Sequence, residues 1–259
     1  MCDNPPSTDR RKFLQRAALG AAALALPHWA FGSAPTEHGG HEVAKGKGEE
    51  AKAAAPAGHG TSSQKVTPDE ALARLLEGNK RFVAAKMFHP NESIETRAKL
   101  ATGQAPFAAI LGCADSRVSP EIVFDHGLGD LFVVRVAGNI LEDAGSGSFE
   151  YGVEHLGVPL IVVLGHERCG AVKAAVETLE AGGEAPGHIA ELVRKLKPAV
   201  EKSKDAPGDK AENAMRENAR RMAAELAGLE PILKEKVEQG LVKVVAMRYD
   251  LDTGAVEVL

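Results

Sequence analysis

The chain has 259 residues, with 31 Lys and Arg against 36 Asp and Glu, a formal charge of −5 with histidine neutral. That acidic balance argues against a nucleic-acid partner, because phosphate contacts need a basic face. Hydrophobic residues make up 44%, enough for a sizeable core in one large domain or two small ones, and aromatics only 4%, so each Phe or Tyr beside a motif is informative.

The first residues read as an address. Arg10-Arg11-Lys12-Phe13-Leu14 is followed by an apolar run from Ala17 to Leu26, too short to cross a bilayer, and then by the small residues Gly32, Ser33 and Ala34. The order resembles a bacterial twin-arginine export signal over residues 1–34. The resemblance implies a periplasmic protein whose mature chain has no stable membrane insertion; a short amphipathic helix with a chance arginine pair is the plainer alternative. Residues 35–65 are rich in Gly, Ala, Lys, Glu and His and nearly free of branched apolar residues. Burial cannot offset their ordering entropy, so they are expected to be a flexible linker. His38, His41 and His59 can chelate metal loosely there, or simply sit on a solvated tether.

Residues 66–259 carry the pattern of a folded domain. Thr67-Pro68-Asp69-Glu70 predicts a helix start, with Thr as cap, Pro at the first position and Glu70 closing a capping box. Leu72, Leu75, Leu76, Phe82 and Val83 then recur at helical spacing. A short helix is expected from Ile94 towards Thr102. Apolar runs at Phe107–Leu111, Leu131–Val136 and Pro159–Leu164 read as buried strands, with helices at Gly147–Leu156 and Ala171–Ala181. Strands alternating with helices imply α/β architecture around a central, mostly parallel sheet. Two further helices, Ile189–Glu201 and Ala211–Leu226, precede a strand at Leu241–Tyr249, a turn at Asp252–Gly254 and a return through Val256–Val258. The expected fold is thus a helix-flanked sheet with an N-terminal helical arm and a C-terminal edge hairpin.

Two strings carry the chemistry: Cys113-Ala-Asp115-Ser-Arg117 and Gly165-His166-Glu-Arg-Cys169-Gly170. With Cys2 inside the export segment, the thiols left are Cys113 and Cys169. Two sulfurs and one imidazole make a three-ligand zinc set with one open position, the pattern of catalytic zinc. Zinc held so acidifies bound water towards a pKa of ~7. Cys113 and His166 each follow a predicted strand, and sites in α/β sheets form beyond the carboxyl ends of strands. The alternative for two cysteines in an exported protein is a disulfide. Asp115 and Arg117, read alone, are equally a helix cap and a structural salt bridge.

Taken together the two strings resemble the β-class carbonic anhydrases, in their plant-like, open-site subtype. The resemblance extends over most of Thr67–Leu259. It includes Pro68-Asp69-Glu70-Ala71 and Glu77-Gly78-Asn79-Lys80-Arg81-Phe82, Gly129-Asp130-Leu131-Phe132-Val133-Val134-Arg135, Ala137-Gly138-Asn139 and Glu150-Tyr151. It implies one Zn2+ per subunit on Cys113, His166 and Cys169, an Asp115–Arg117 dyad, and substrate-binding roles for Gln104, Phe132, Tyr151 and Gly170. The implied reaction is reversible hydration of carbon dioxide to bicarbonate and a proton, by attack of hydroxide generated at the zinc. A homodimer or higher homo-oligomer is implied too, with Gln104, Phe132 and Tyr151 serving the partner's zinc. His126, where many relatives have another residue, is expected to be an exposed loop residue, with a proton-shuttle role as the alternative. Two rivals share the motifs: a carbon disulfide or carbonyl sulfide hydrolase on the same scaffold, and a non-catalytic periplasmic zinc- or bicarbonate-binding protein.

Overall fold

The structure, a computed structural model, describes residues 66–259. The export signal at 1–34, the linker at 35–65 with its three histidines, and Cys2 lie outside the described residues.

Helix α1 (Pro68–Val83) starts where the capping box predicts: the Glu70 N–H donates to the Thr67 hydroxyl, and the Thr67 N–H donates to the Glu70 carboxylate at 2.8 Å. Its buried face holds Ala71, Leu75, Gly78 and Asn79. Gly78 has no room for a side chain, since a Cβ there would lie 1.7 Å from the Phe124 carbonyl oxygen. Asn79 donates to the carbonyls of Val123 and Gly254 and accepts from the Val256 N–H, so it joins the helix to the segment at Val123 and to the C-terminal residues 254–256. Helix α2 (Ile94–Leu100) lies on the surface with no buried residue.

Five strands follow: β1 (Ala108–Gly112), β2 (Leu131–Arg135), β3 (Leu160–His166), β4 (Lys243–Tyr249) and β5 (Val256–Val258). Their order is β2-β1-β3-β4-β5; every pairing is parallel except β4 with β5, which closes the expected edge hairpin. β1 and β3 are buried along their whole length, which accounts for their unbroken apolar runs. One face of the sheet packs under α4 (Asp143–Leu156) and α7 (Lys210–Ala227) through Leu111, Ile161 and Val163 against Phe149, Met222 and Leu226. The other packs under α1 and the short α3 (Pro120–Val123) through Ile110, Val162 and Leu164 against Leu75 and Phe124. A third cluster, under α5 (Gly170–Glu180) and α6 (Ile189–Ser203), joins Cys113 and Cys169 to Val172, Leu196 and Met215.

Differences from the sequence reading are local. α4 begins four residues before the expected Gly147, because packing overrides the low propensity of its early glycines. α3, a 3-10 turn at Ala137–Asn139 and α8 (Ile232–Glu238) were not anticipated. α8 buries only Leu233 among four charged residues, so its apolar signal is faint.

Candidate metal centre

Three backbone features meet at the carboxyl end of the sheet. Cys113 directly follows β1, His166 is the last residue of β3, and Cys169 caps the N-terminus of α5. All three are buried, and one ligand atom from each lies within 4.8 Å of the others. The sulfurs are 3.9 Å apart and both thiols are free, against about 2.05 Å for a disulfide; the stapled-domain alternative is thereby overturned.

The donor atoms fit a metal cation. His166 Nδ1 sits 2.9 Å from the Glu167 carbonyl oxygen, which only accepts, so Nδ1 carries the proton. That leaves Nε2 as a bare lone pair, buried and without a hydrogen-bond partner among the described residues. The Cys113 thiol is drawn down, first by a hydrogen bond from Cys169 and against the opposing effect of burial, with the N–H groups of Asp115 and Gly138 assisting. Cys169 moves the other way, pushed up by the neighbouring Cys113 sulfur and by burial. Two sulfurs and a neutral imidazole nitrogen are a zinc donor set.

Asp115 stands beside this cluster, with Oδ2 3.9 Å from His166 Nε2. Arg117 grips it: the backbone N–H and Nε both donate to Oδ1 at 2.9 Å, and Nη2 donates to Oδ2 at 2.7 Å. The guanidinium holds the Asp115 carboxyl well below the usual carboxylate range, against a smaller opposing effect of burial. Arg135, at the end of β2, donates to the carbonyls of Cys113 and Asp115 at 2.8 and 2.6 Å and so fixes the loop that carries both. In the sequence, Arg135 and Gly138 stand only inside longer strings that mark no role for them. Asn218, whose Nδ2 donates to the Gly138 carbonyl, stood in a helical stretch with nothing to mark it.

The loop between His166 and Cys169 is tied to the hairpin turn. Arg168 makes two bonds to Asp252, and Glu167 accepts from the Leu251 N–H. The Glu167, Asp250 and Asp252 carboxylates form a second acidic group, but each of them is already paired with Arg168 or Arg248. It is an ion-pair network that anchors the ligand loop.

Gly170, next to Cys169, faces open space, as a Cβ there would meet nothing within 4 Å. The other expected substrate residues lie elsewhere. Gln104 is exposed and precedes β1, at the amino end of the sheet. Phe132 pairs with Ala109, four residues before Cys113 and so about 13 Å from it along the strand. Tyr151, half exposed on α4, keeps company with Phe132 at 6.5 Å between ring centroids. Within one chain these three do not reach the cluster. His126 differs from expectation. Its side chain is only 12% exposed, its ring packs against Phe107 at 4.8 Å, and Nδ1 is 3.6 Å from Asp130. Phe107 precedes β1, about 20 Å from Cys113, so His126 is neither an exposed loop residue nor within reach of this chain's own site. Cavities of about 340 and 690 Å³ also open away from the cluster, the first beside His126 and the second beside Ala105.

Comparison with known proteins agrees with this geometry. Residues 108–256 match the family model described as carbonic anhydrase. The chain is 42% identical over 189 residues to carbonic anhydrase 2 of Mycobacterium tuberculosis, covering 73% of this chain and 91% of that one. This chain belongs to the β-class carbonic anhydrases. A carbonic anhydrase of Mycolicibacterium smegmatis is 40% identical over 190 residues, covering 73% and 92%. Among solved structures, tetrameric β-carbonic anhydrases of the ascomycete Sordaria macrospora superpose with a TM-score of 0.56 at 27% identity, covering 73% and 96%. As a carbonic anhydrase the chain is an enzyme, and these matches lend no support to the sulfur-substrate hydrolase or to the non-catalytic binding protein.

Proposed function

We propose that this chain catalyses the reversible hydration of carbon dioxide to bicarbonate and a proton, with one zinc ion per subunit held by Cys113, His166 and Cys169. The observation that carries this reading is the buried Nε2 of His166, without a hydrogen-bond partner among the described residues, beside two free cysteine sulfurs 3.9 Å apart. Bound at these residues, zinc supplies the acidification of water that makes a strong oxygen nucleophile available near neutral pH.

The protein's own groups supply the remainder. Asp115, kept ionised by Arg117, offers Oδ2 on the His166 side as the acceptor for a proton of the attacking water, which turns an oxygen lone pair towards the substrate carbon. Arg117 cannot be deprotonated, so the acceptor stays charged and stays in place. Carbon dioxide is apolar and needs little more than an apolar wall, for which Phe132, Tyr151 and Ala137 are suited. Gln104 donates to the carboxylate oxygens as charge develops on them, and Gly170 leaves the backbone open to the pocket.

Since Gln104, Phe132 and Tyr151 lie far along the sheet from their own chain's cluster, their roles require a second copy. We therefore infer a homodimer or higher assembly in which each chain lends these residues to its partner's site. Export to the periplasm rests on the Arg10-Arg11 signal. The test is metal analysis of the purified chain together with stopped-flow carbon dioxide hydration. One zinc per chain and hydration that vanishes, with the zinc, in His166→Ala are expected. A fully zinc-loaded chain without hydration activity, or a His166→Ala variant that keeps both, refutes the reading.

A further inference from the structure

The Cys113 sulfur has one backbone donor that belongs to neither motif, the Gly138 N–H at 3.3 Å. Gly138 lies in the turn after β2 with φ of +72°, and its neighbour Asn139 has φ of +41°. Glycine has the freest backbone of any residue, so the direction of this N–H needs an external fix. Two bonds fix the next peptide unit, Gly138–Asn139: the Asn139 N–H donates to the Val136 carbonyl at 2.8 Å, and from α7 Asn218 Nδ2 donates to the Gly138 carbonyl at 2.9 Å. Asn218 is buried, at 1% exposure, on the face of α7 that also carries Met215, Ala219 and Met222. That face is seated on β3 at the residue before His166. A Cβ on Gly165 would lie 2.6 Å from the Met215 sulfur and 3.4 Å from the Ala219 Cβ, so helix and strand meet without slack. The Asn218 Oδ1 has no partner among the described residues. A buried amide with one bond costs stability that leucine would not, so the Gly138 contact is what asparagine contributes here.

We propose that Asn218 is a positioning residue of the metal centre: by holding the Gly138 carbonyl it fixes the turn at this glycine, whose N–H, on the preceding peptide unit, donates to the Cys113 sulfur. The inference rests on Cys113 being a zinc ligand. A sulfur that accepts an N–H bond is held in place for a bound cation; outer partners that orient a ligand change metal affinity by about 10- to 100-fold when removed.

The test uses the full folded chain, with Asn218→Leu and the less bulky Asn218→Ala, each checked by thermal melting and near-UV circular dichroism. Zinc affinity is read by competition with a chromophoric chelator, and the sulfur-to-metal charge-transfer band is read after substitution with cobalt(II). A 10- to 100-fold loss of zinc affinity with a shifted cobalt band is expected in whichever variants fold, with Asn218→Gln, which keeps an amide donor, recovering part of both. Affinity within twofold of the parent chain overturns the inference. So does a loss of affinity with the cobalt band unmoved, since a merely structural role does that. A parent chain that binds no zinc refutes the metal site itself, a different and recognisable failure.

Discussion

Asp115→Asn separates the dyad's chemical role from its structural one. The carboxylate takes three N–H bonds from Arg117, two on Oδ1 and one on Oδ2, and the remaining acceptor capacity of Oδ2 faces the His166 side at 3.9 Å. An amide keeps one oxygen. If that oxygen stays with the two donors now on Oδ1, the NH2 group meets Arg117 Nη2 as donor against donor, and it can no longer accept a proton from the attacking water. Loss of one preorganised hydrogen-bonding group at a reacting oxygen costs about 100- to 1,000-fold in kcat, or about 2.7–4 kcal/mol. The structural cost is small because the Arg117 side chain is half exposed, so the melting temperature should move by no more than about 4 °C. The folded-state pKa of Asp115 lies below its unfolded value, so the pair's contribution to stability is complete above the ordinary carboxylate range near pH ~4 and is lost as pH falls through the folded value. Across pH 6–9 Asp115 does not titrate, and the deficit in turnover should be constant there. Stopped-flow hydration with metal analysis on the same samples is the assay. A variant with one zinc per chain and kcat within threefold of the parent would refute the acceptor role.

Gly78→Ala reverses a propensity rule: alanine in a helix interior is worth about 1 kcal/mol over glycine, yet this Cβ would lie 1.7 Å from a backbone oxygen. The variant should lose about 3 kcal/mol or more, seen in denaturant unfolding, and a gain in stability would contradict the packing of α1 on Phe124. Mixing Cys113→Ser chains with Gln104→Ala/Tyr151→Ala chains, each nearly inactive alone, should restore about a quarter of parent activity after subunit exchange, since half the dimers are mixed and each has one complete site. No recovery despite demonstrated exchange would mean that the sites are not shared. Replacing Arg10 and Arg11 by Lys should strand the protein in the cytoplasm on cell fractionation; unchanged export would remove the twin-arginine reading.

Most of the fold was legible because local and long-range signals agree. β1 and β3 are apolar at every position because both faces are covered, and the capping box at Thr67 needs only three consecutive neighbours to be recognised. The clustering of Cys113, His166 and Cys169 was legible because sulfur and imidazole chemistry is rare and their motifs are short. Arg135, Gly138 and Asn218 were not, for a different reason in each case. Arg135 works through backbone carbonyls, which any chain has. Gly138 works through its own N–H. Asn218 meets the site across 80 positions, by way of a helix whose register is set by a methionine against a glycine. None of these leaves a spacing in the sequence. His126 misled because a histidine between Asp and Gly reads as a turn, and the burial that Phe107 and Asp130 give it comes from the amino end of the sheet.

The position of the residues along the sheet bears on how this enzyme works. Cys113 and His166 lie at the carboxyl ends of β1 and β3, with Asp115, Arg117 and Cys169 in the segments that follow, whereas Gln104 lies before β1 and Phe132 pairs near its start. A five-residue strand spans about 17 Å, too far for side chains at one end to touch a substrate at the other. A two-fold axis removes the difficulty, since an isologous pairing can set the amino end of one sheet beside the carboxyl end of the other and completes both sites at once. β2 suits such a contact. It is an edge strand, its residues are only half covered, and Phe132 and Tyr151 lie together along it with Tyr151 half exposed. On this reasoning a chain forced to remain monomeric binds zinc normally through its own three ligands and fails in turnover, because the acidifying centre is local and the wall that receives carbon dioxide is not.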